Sequence, residues 1–206
     1  MKIHVDFSDV VRFGDSDGTE PRHSLNILGA VKTEWRVYDL RGDYAIHTRY
    51  DLYAGGKAFR WKHPDGTNSR DGEISSTDRA YGLELVDGQH KGLLVEGEKA
   101  ADAARAALPS WWLVVATVCG ALTIPDVDVL ARLARVPSWW LFADHDANGR
   151  GQEHMASIGA YLKRRCRVRM VRWRDAPPGG DVADFLIDHS TAELLELLLH
   201  EAVPVK

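Results

Sequence analysis

The chain has 206 residues, of which 45% are hydrophobic and 27% charged, and its formal net charge is −4. That length allows one large domain or two small ones, and the acidic balance excludes nucleic-acid binding through overall charge, so any such binding must use a local patch. Cys119 and Cys166 stand far apart with no Cys or His at ligand spacing, which excludes a zinc ribbon and argues against a structural disulfide.

The opening Met1-Lys-Ile-His-Val-Asp6 lacks the apolar segment of a signal peptide, and no apolar run is long enough to span a bilayer. A cytoplasmic setting without a membrane partner is expected. Before Glu34 the sequence carries Asp15-Ser-Asp17-Gly18 and Pro21 and predicts no definite element. Residues 35–40, 44–53 and 57–62 alternate in type, separated by turns at Arg41-Gly-Asp43 and Ala54-Gly55-Gly56 and closed by His63-Pro64-Asp65-Gly66. Three period-two runs with tight connections predict an antiparallel meander. Residues 65–79 are polar and rich in Gly, Ser and Asp, and read as a loop. Residues 1–89 are therefore read as a small β-rich N-terminal subdomain.

From His90 the pattern changes to alternating strands and helices. Strands are predicted at 92–95, 112–117, 138–142 and 168–173. Helices are predicted at 99–108, from Pro125-Asp126 to about Arg135, and at 149–165, 181–188 and 191–201. Repeated β-α units with near-continuous apolar strands mean a parallel, Rossmann-like sheet flanked by helices. Residues 90–206 are read as an α/β catalytic domain.

Two of these strands end in carboxylates. Leu93-Leu-Val-Glu96-Gly97 closes the first, and Trp140-Leu-Phe-Ala-Asp144-His-Asp146 closes the third. In a parallel sheet both ends lie on the edge where open α/β sheets place ligands, and clustered carboxylates there call for a hard cation. Gly97 permits close approach of a phosphate, and the helix beginning near Lys99 offers its positive end. Asp144 and Asp146, two apart on an extended segment, project to one side. An EF-hand is ruled out because its twelfth position would be Met155, where a bidentate glutamate is required, and because a strand precedes it. Asp15/Asp17 and Asp126/Asp128 are read as structural or solvated. His145 and His154 are read as surface groups or as supports behind the site.

These residues resemble the Toprim domain of bacterial-type primases, topoisomerases and small nucleases. The fuller pattern is similar to phage and plasmid primase-like proteins: Glu96-Gly-Glu-Lys99-Ala-Ala-Asp102, Val118-Cys-Gly120-Ala121, Ala143-Asp-His-Asp-Ala-Asn-Gly149-Arg150 and Gly180-Asp181-Val-Ala-Asp184-Phe-Leu. The resemblance spans about 90–201, with a weaker match upstream at Tyr38-Asp39 and Lys57-Ala-Phe-Arg60. It implies Glu96 as general acid/base or metal ligand, and Asp144 and Asp146 as ligands of Mg²⁺ or Mn²⁺. Asp181 or Asp184 would be a further ligand, the alternative for Asp181 being a helix N-cap. Gly97, Lys99 and Arg150 would meet substrate. Ala100 stands where many primases carry an acid, and Cys119-Gly120 replaces a Gly-Gly pair; both bear on how many metals bind.

The meander interleaves aromatic and basic side chains, and Arg49, Lys57, Arg60, Trp61 and Lys62 are its candidate contacts to single-stranded nucleic acid. A second basic run comprises Lys163-Arg-Arg165, Arg167, Arg169, Arg172 and Arg174. The leading expectation is a primase-like nucleotidyltransferase acting on single-stranded DNA and nucleotides by divalent-metal phosphoryl transfer. It is expected either to stand alone or to be a piece of a longer helicase–primase, with a replicative helicase as partner. The alternatives are a metal-dependent nuclease on the same scaffold and a non-catalytic nucleic-acid-binding module.

Overall fold

The computed structural model describes residues 10–12, 24–26, 30–52, 55–121 and 123–205. Asp15, Asp17 and Pro21, together with the end of the second predicted strand at Tyr53, lie outside the described residues. The chain divides into two compact units, one of Met1–Trp35 and Ile46–Ser69, the other of Arg36–Ala45 and Arg70–Lys206. Strands β3 (Val31–Asp39) and β4 (Tyr44–Asp51) each contribute residues to both.

In the first unit, β1 (Val10–Arg12) pairs antiparallel with β2 (Ser24–Asn26). The β4 residues from Ile46 onward form a hairpin with β5 (Lys57–Lys62), in the register His47↔Trp61 and Arg49↔Phe59. The connection turns through Gly55 and Gly56, whose φ angles of 84° and 92° are left-handed and suit only glycine without strain. Glu34 accepts hydrogen bonds from Lys32 at 2.7 Å, Lys62 at 2.8 Å and Thr48 at 3.2 Å. The bonds from Lys32 and then Lys62 hold its carboxyl down at about 2.

The second unit is built on a sheet whose core is the parallel set β7 (Gly92–Val95), β8 (Leu113–Thr117), β9 (Ser138–Leu141) and β10 (Arg167–Met170). Their order is β10-β9-β7-β8, with antiparallel additions at each side. On one side β11 (Val203–Pro204) pairs with β10. On the other, β6 (Arg79–Tyr81) pairs with β8 and, through Ala80↔Tyr38, with β3. The second unit takes in Arg36–Ala45 and resumes at Arg70, with β6 in its sheet, whereas the sequence pattern changes only at His90. A three-residue strand is too short to show a period, and β6 starts at the last residue of the predicted loop.

All-apolar strands still alternate between faces. Leu94, Val115, Trp139 and Leu141 pack with α2 (Val127–Leu133) and α3 (Arg150–Leu162) in one core. Leu93, Val95, Val114, Ala116 and Trp140 pack with α1 (Glu98–Ala107), α4 (Val182–Asp188) and α5 (Thr191–Glu196) in the other. Gly92 has no alternative: a Cβ there would lie 2.5 Å from the Trp139 ring, which is itself fully buried. The closing leucine-rich segment ends as a π-helical turn, Leu197–Glu201, rather than as a continuous α-helix. Among the described residues no helix is long and apolar enough to cross a membrane.

Candidate active site

From β7 the chain crosses by α1 to β8 on one side of it, and from β8 by α2 to β9 on the other. The winding direction reverses between β7 and β9, so the chain leaves their carboxyl ends toward opposite faces, α1 into one core and α3 into the other. That is the position where doubly wound sheets hold ligands. Glu96 follows β7 directly and Asp144 follows β9 by three residues.

The two acids meet. Glu96 Oε1 accepts a hydrogen bond from the backbone N–H of Asp144 at 3.0 Å. A carboxylate bound to an amide N–H is a charge-assisted contact, so it also fixes where the Asp144 loop begins. Gly151, in the first turn of α3, makes this approach possible. A Cβ at Gly151 would lie 2.5 Å from Glu96 Oε1 and 2.6 Å from the Asp144 carbonyl oxygen. Gly149 precedes the helix with φ 72° and its N–H bonds the Asp146 carbonyl at 3.0 Å, closing the turn that carries Asp146.

Behind Glu96 lies a small buried relay. Thr117 Oγ1 donates to the Glu96 carbonyl at 3.4 Å and stands 3.3 Å from His154 Nε2. With the hydroxyl donating forward, Nε2–H donates to it, and Nδ1 is left as a buried acceptor without a partner among the described residues. His154 is 4% exposed, and burial pushes its pKa below the ordinary histidine value. His154 takes the second of the two placements read for it, behind the site rather than on the surface, while the packing roles of Gly151 and Thr117 went unnoticed in the motifs. The available signal was His154 at helical spacing with Gly151, Met155, Ile158 and Leu162, all of which are buried on one face of α3. His145 is exposed.

The other predicted residues are placed as follows. Gly97 is the N-terminal cap of α1 in extended backbone, φ −140°, and a Cβ there would meet nothing within 4 Å. Neither conformation nor packing inside the chain therefore demands glycine at this position. Lys99 and Arg150 lie exposed in the first turns of α1 and α3. The 176–181 loop is drawn to the same edge, because the N–H of His145 bonds the Gly180 carbonyl at 2.9 Å and that of Gly179 bonds the His145 carbonyl at 2.8 Å. Asp181 Oδ1 caps α4, accepting from Ala183 N at 2.6 Å and Asp184 N at 3.0 Å, while Asp184 Oδ2 accepts from Asp181 N at 3.1 Å. This reciprocal capping box is the structural role weighed for Asp181 from sequence.

Among the described residues no three His, Cys, Asp or Glu side chains stand together as a metal cluster. The donor chemistry nevertheless fits a hard cation: Glu96, Asp144 and Asp146, carried by the two strand ends, offer carboxylate oxygens, the ligands Mg²⁺ and Mn²⁺ prefer. On the loop after β8, burial, with Asp126 and Glu96 adding, pushes the Cys119 thiol up to about 11.

The candidate nucleic-acid contacts do not form one patch. Strand register puts Arg49, Lys57 and Trp61 on one face of the β4–β5 hairpin with His47 and Phe59, and Arg60 and Lys62 on the other. On the first face His47 stacks between Trp61 (ring centroids 4.2 Å apart) and Phe59 (5.2 Å), with Lys57 over the Phe59 ring at 5.9 Å. Arg49 is tied to Asp51 at 2.6 Å and Lys62 to Glu34 at 2.8 Å.

No family model and no curated protein matches the sequence. Solved structures do match in shape. A DNA primase domain from Pseudomonas aeruginosa aligns with a TM-score of 0.63 and 18% identity, over 95% of this chain and 57% of that chain. The E. coli primase catalytic core aligns with a TM-score of 0.59 and 17% identity, over 84% of this chain and 53% of that one. A chain from the complex of bacteriophage T7 lagging-strand DNA polymerase with primase domains of two gp4 subunits, bound to an RNA/DNA hybrid and dTTP, aligns with a TM-score of 0.58 and 16% identity, over 85% of this chain and 80% of that one. The chain thus spans a little over half the length of the first two. The fold is the mixed α/β fold of primase catalytic domains.

Proposed function

We propose that this chain is the catalytic part of a Toprim-type primase, a nucleotidyltransferase that joins nucleotides on a single-stranded DNA template. The observation that carries the reading is the meeting of Glu96 with Asp144 at the switch point between β7 and β9. It supports a phosphoryl-transfer site because the Glu96 carboxylate holds the loop that carries Asp144 and Asp146 at the edge where the fold places ligands. The likeness of the fold to primase catalytic domains supports the choice of reaction.

In this reading Asp144 and Asp146, with Glu96, would hold Mg²⁺ or Mn²⁺, with Asp181 at the start of α4 or Asp184 in its first turn as a further ligand, and the cation would supply charge neutralisation for phosphoryl transfer. Glu96 keeps one oxygen on the Asp144 N–H, which holds the loop in place, and its carboxylate serves as ligand or as acceptor of the proton lost by the attacking hydroxyl. The backbone at Gly97, with open space where a side chain would stand, admits a phosphate to the start of α1, and Lys99 and Arg150 supply positive charge from the two helix starts. Template strand is read as lying on the His47, Phe59 and Trp61 face of the β4–β5 hairpin, where stacking faces stand beside Lys57. A helicase, separate or in a longer chain, is the natural partner for such an activity.

The test incubates the chain with labelled single-stranded DNA, Mg²⁺ or Mn²⁺, and ribo- or deoxynucleotides. Extension that disappears in Asp144→Asn and Glu96→Gln is expected. Shortening of the DNA instead would replace synthesis by nuclease chemistry, and unchanged DNA together with metal-independent binding would leave a binding module.

A further inference from the structure

Beside the Asp144–Asp146 loop, at the carboxyl ends of β9 and β10, lies a cavity of about 300 Å³. Its floor is apolar, made by Phe142, Met170, Val171 and Trp173, and its polar lining is His145, Gln152, Arg172 and Arg174. No carboxylate lines it. The neighbouring cleft of about 840 Å³ shares Arg172, Trp173 and Arg174 but is also lined by Asp175, Asp184, Asp188 and Glu201. That cleft sets four carboxylates against its two guanidinium groups, whereas the smaller cavity has the two guanidinium groups and no lining carboxylate, the better match to a polyphosphate.

The cavity is built rather than incidental. Its rim is pinned by the paired backbone bonds between His145 and the Gly179–Gly180 turn, and its base by Val171 N–H on the Leu141 carbonyl at 2.9 Å. The Trp173 ring is held edge-on to Phe142 and Phe185. Arg172 is exposed and makes no ion pair with a described residue, while Arg174 bonds the exposed Glu201 at 3.2 Å. The amide oxygen of Gln152 is buried with no partner, so turning the amide toward a ligand breaks no bond at that oxygen.

We propose that this cavity is the seat of the incoming nucleoside triphosphate, with its phosphates on Arg172, Arg174 and His145 and its base against the apolar floor. A planar apolar group joined to a multiply charged anion is the ligand this lining matches. The assignment rests on the primase reading for the word incoming, but the binding itself needs neither metal nor template. It is therefore tested first by calorimetric titration of ATP into the whole chain in excess EDTA.

Arg172→Ala is expected to weaken ATP binding about tenfold or more, the size of one lost charge-assisted hydrogen bond. Arg172→Lys should recover part of it, and tripolyphosphate should compete at least tenfold less well than ATP. In the extension assay Arg172→Ala should raise KM for nucleotide by a similar factor with kcat little changed. An absence of ATP binding in EDTA, or binding unaffected by Arg172→Ala with Arg174→Ala, overturns the proposal, and equal competition by tripolyphosphate overturns the seat assigned to the base. Arg172-dependent binding without any extension would refute the primase reading and keep the cavity. Extension with an unchanged KM in Arg172→Ala would do the reverse.

Discussion

Replacing Gly151 by alanine tests the site's geometry directly. The added Cβ would stand 2.5 Å from Glu96 Oε1 and 2.6 Å from the Asp144 carbonyl oxygen, and reaching ordinary contact at 3.4 Å requires about 0.8–0.9 Å of separation. Glu96 can swing its carboxylate away, but the Asp144 oxygen belongs to the backbone, so the loop or the start of α3 has to move. Either response breaks the 3.0 Å bond from Asp144 N–H to Glu96. A charge-assisted bond of this kind contributes about 1.5–3 kcal/mol. Against it, alanine in a helix is favoured over glycine by about 1 kcal/mol. The net expectation is destabilisation by about 0.5–2 kcal/mol, a fall of roughly 1–8 °C in the thermal midpoint for a chain of this size. Activity should suffer more, by about a hundredfold, since displacements near 1 Å cost that much when reacting groups must be aligned. Thermal unfolding followed by circular dichroism reads the first effect and primer extension the second. A Gly151→Ala protein with an unchanged midpoint and a rate within twofold of the parent would refute the close approach of Glu96, Asp144 and α3.

Gly97→Ala gives the opposite pattern: stability within about 0.5 kcal/mol of the parent, because nothing lies within 4 Å, but reduced nucleotide-dependent activity if phosphate approaches there. Equal activity would assign Gly97 no contact with substrate. Asp181→Ala should cost about 1 kcal/mol by removing the α4 cap, while Asp181→Asn keeps the cap and its midpoint; loss of extension in Asp181→Asn alone would make Asp181 a metal contributor as well. His154 has a folded pKa below its ordinary 6.5, so its neutral form's contribution is complete above that pH and is lost as pH falls below it. The midpoint of His154→Gln should therefore fall less steeply than the parent's as pH drops below 6.5, and parallel curves would remove His154 from the acid response. If template lies on the His47–Phe59–Trp61 face, Lys57→Ala should flatten the salt dependence of single-strand binding by about one ion, whereas Lys62→Ala, on the other face, should not.

The sequence by itself determined the periodic content of this protein. The apolar strands at Gly92, Leu113 and Ser138 and the helices between them follow from local hydrophobic pattern, and so does the delivery of Glu96 and Asp144 to strand ends. Local signals sufficed because each such strand is a near-continuous apolar run and the helices between them carry proline, alanine or periodic apolar signals of their own. Only the tertiary structure decided what lies across distance in the chain. The pairing of the three-residue β6 and the two-residue β11 depends on neighbours elsewhere in the chain, not on any pattern of their own. The contact of Gly151 with Glu96, the relay from His154 through Thr117, and the division of the basic hairpin residues between two faces likewise depend on strand order and register. A linear reading could name the acids, but strand order and helix packing decide which backbone N–H meets which carboxylate.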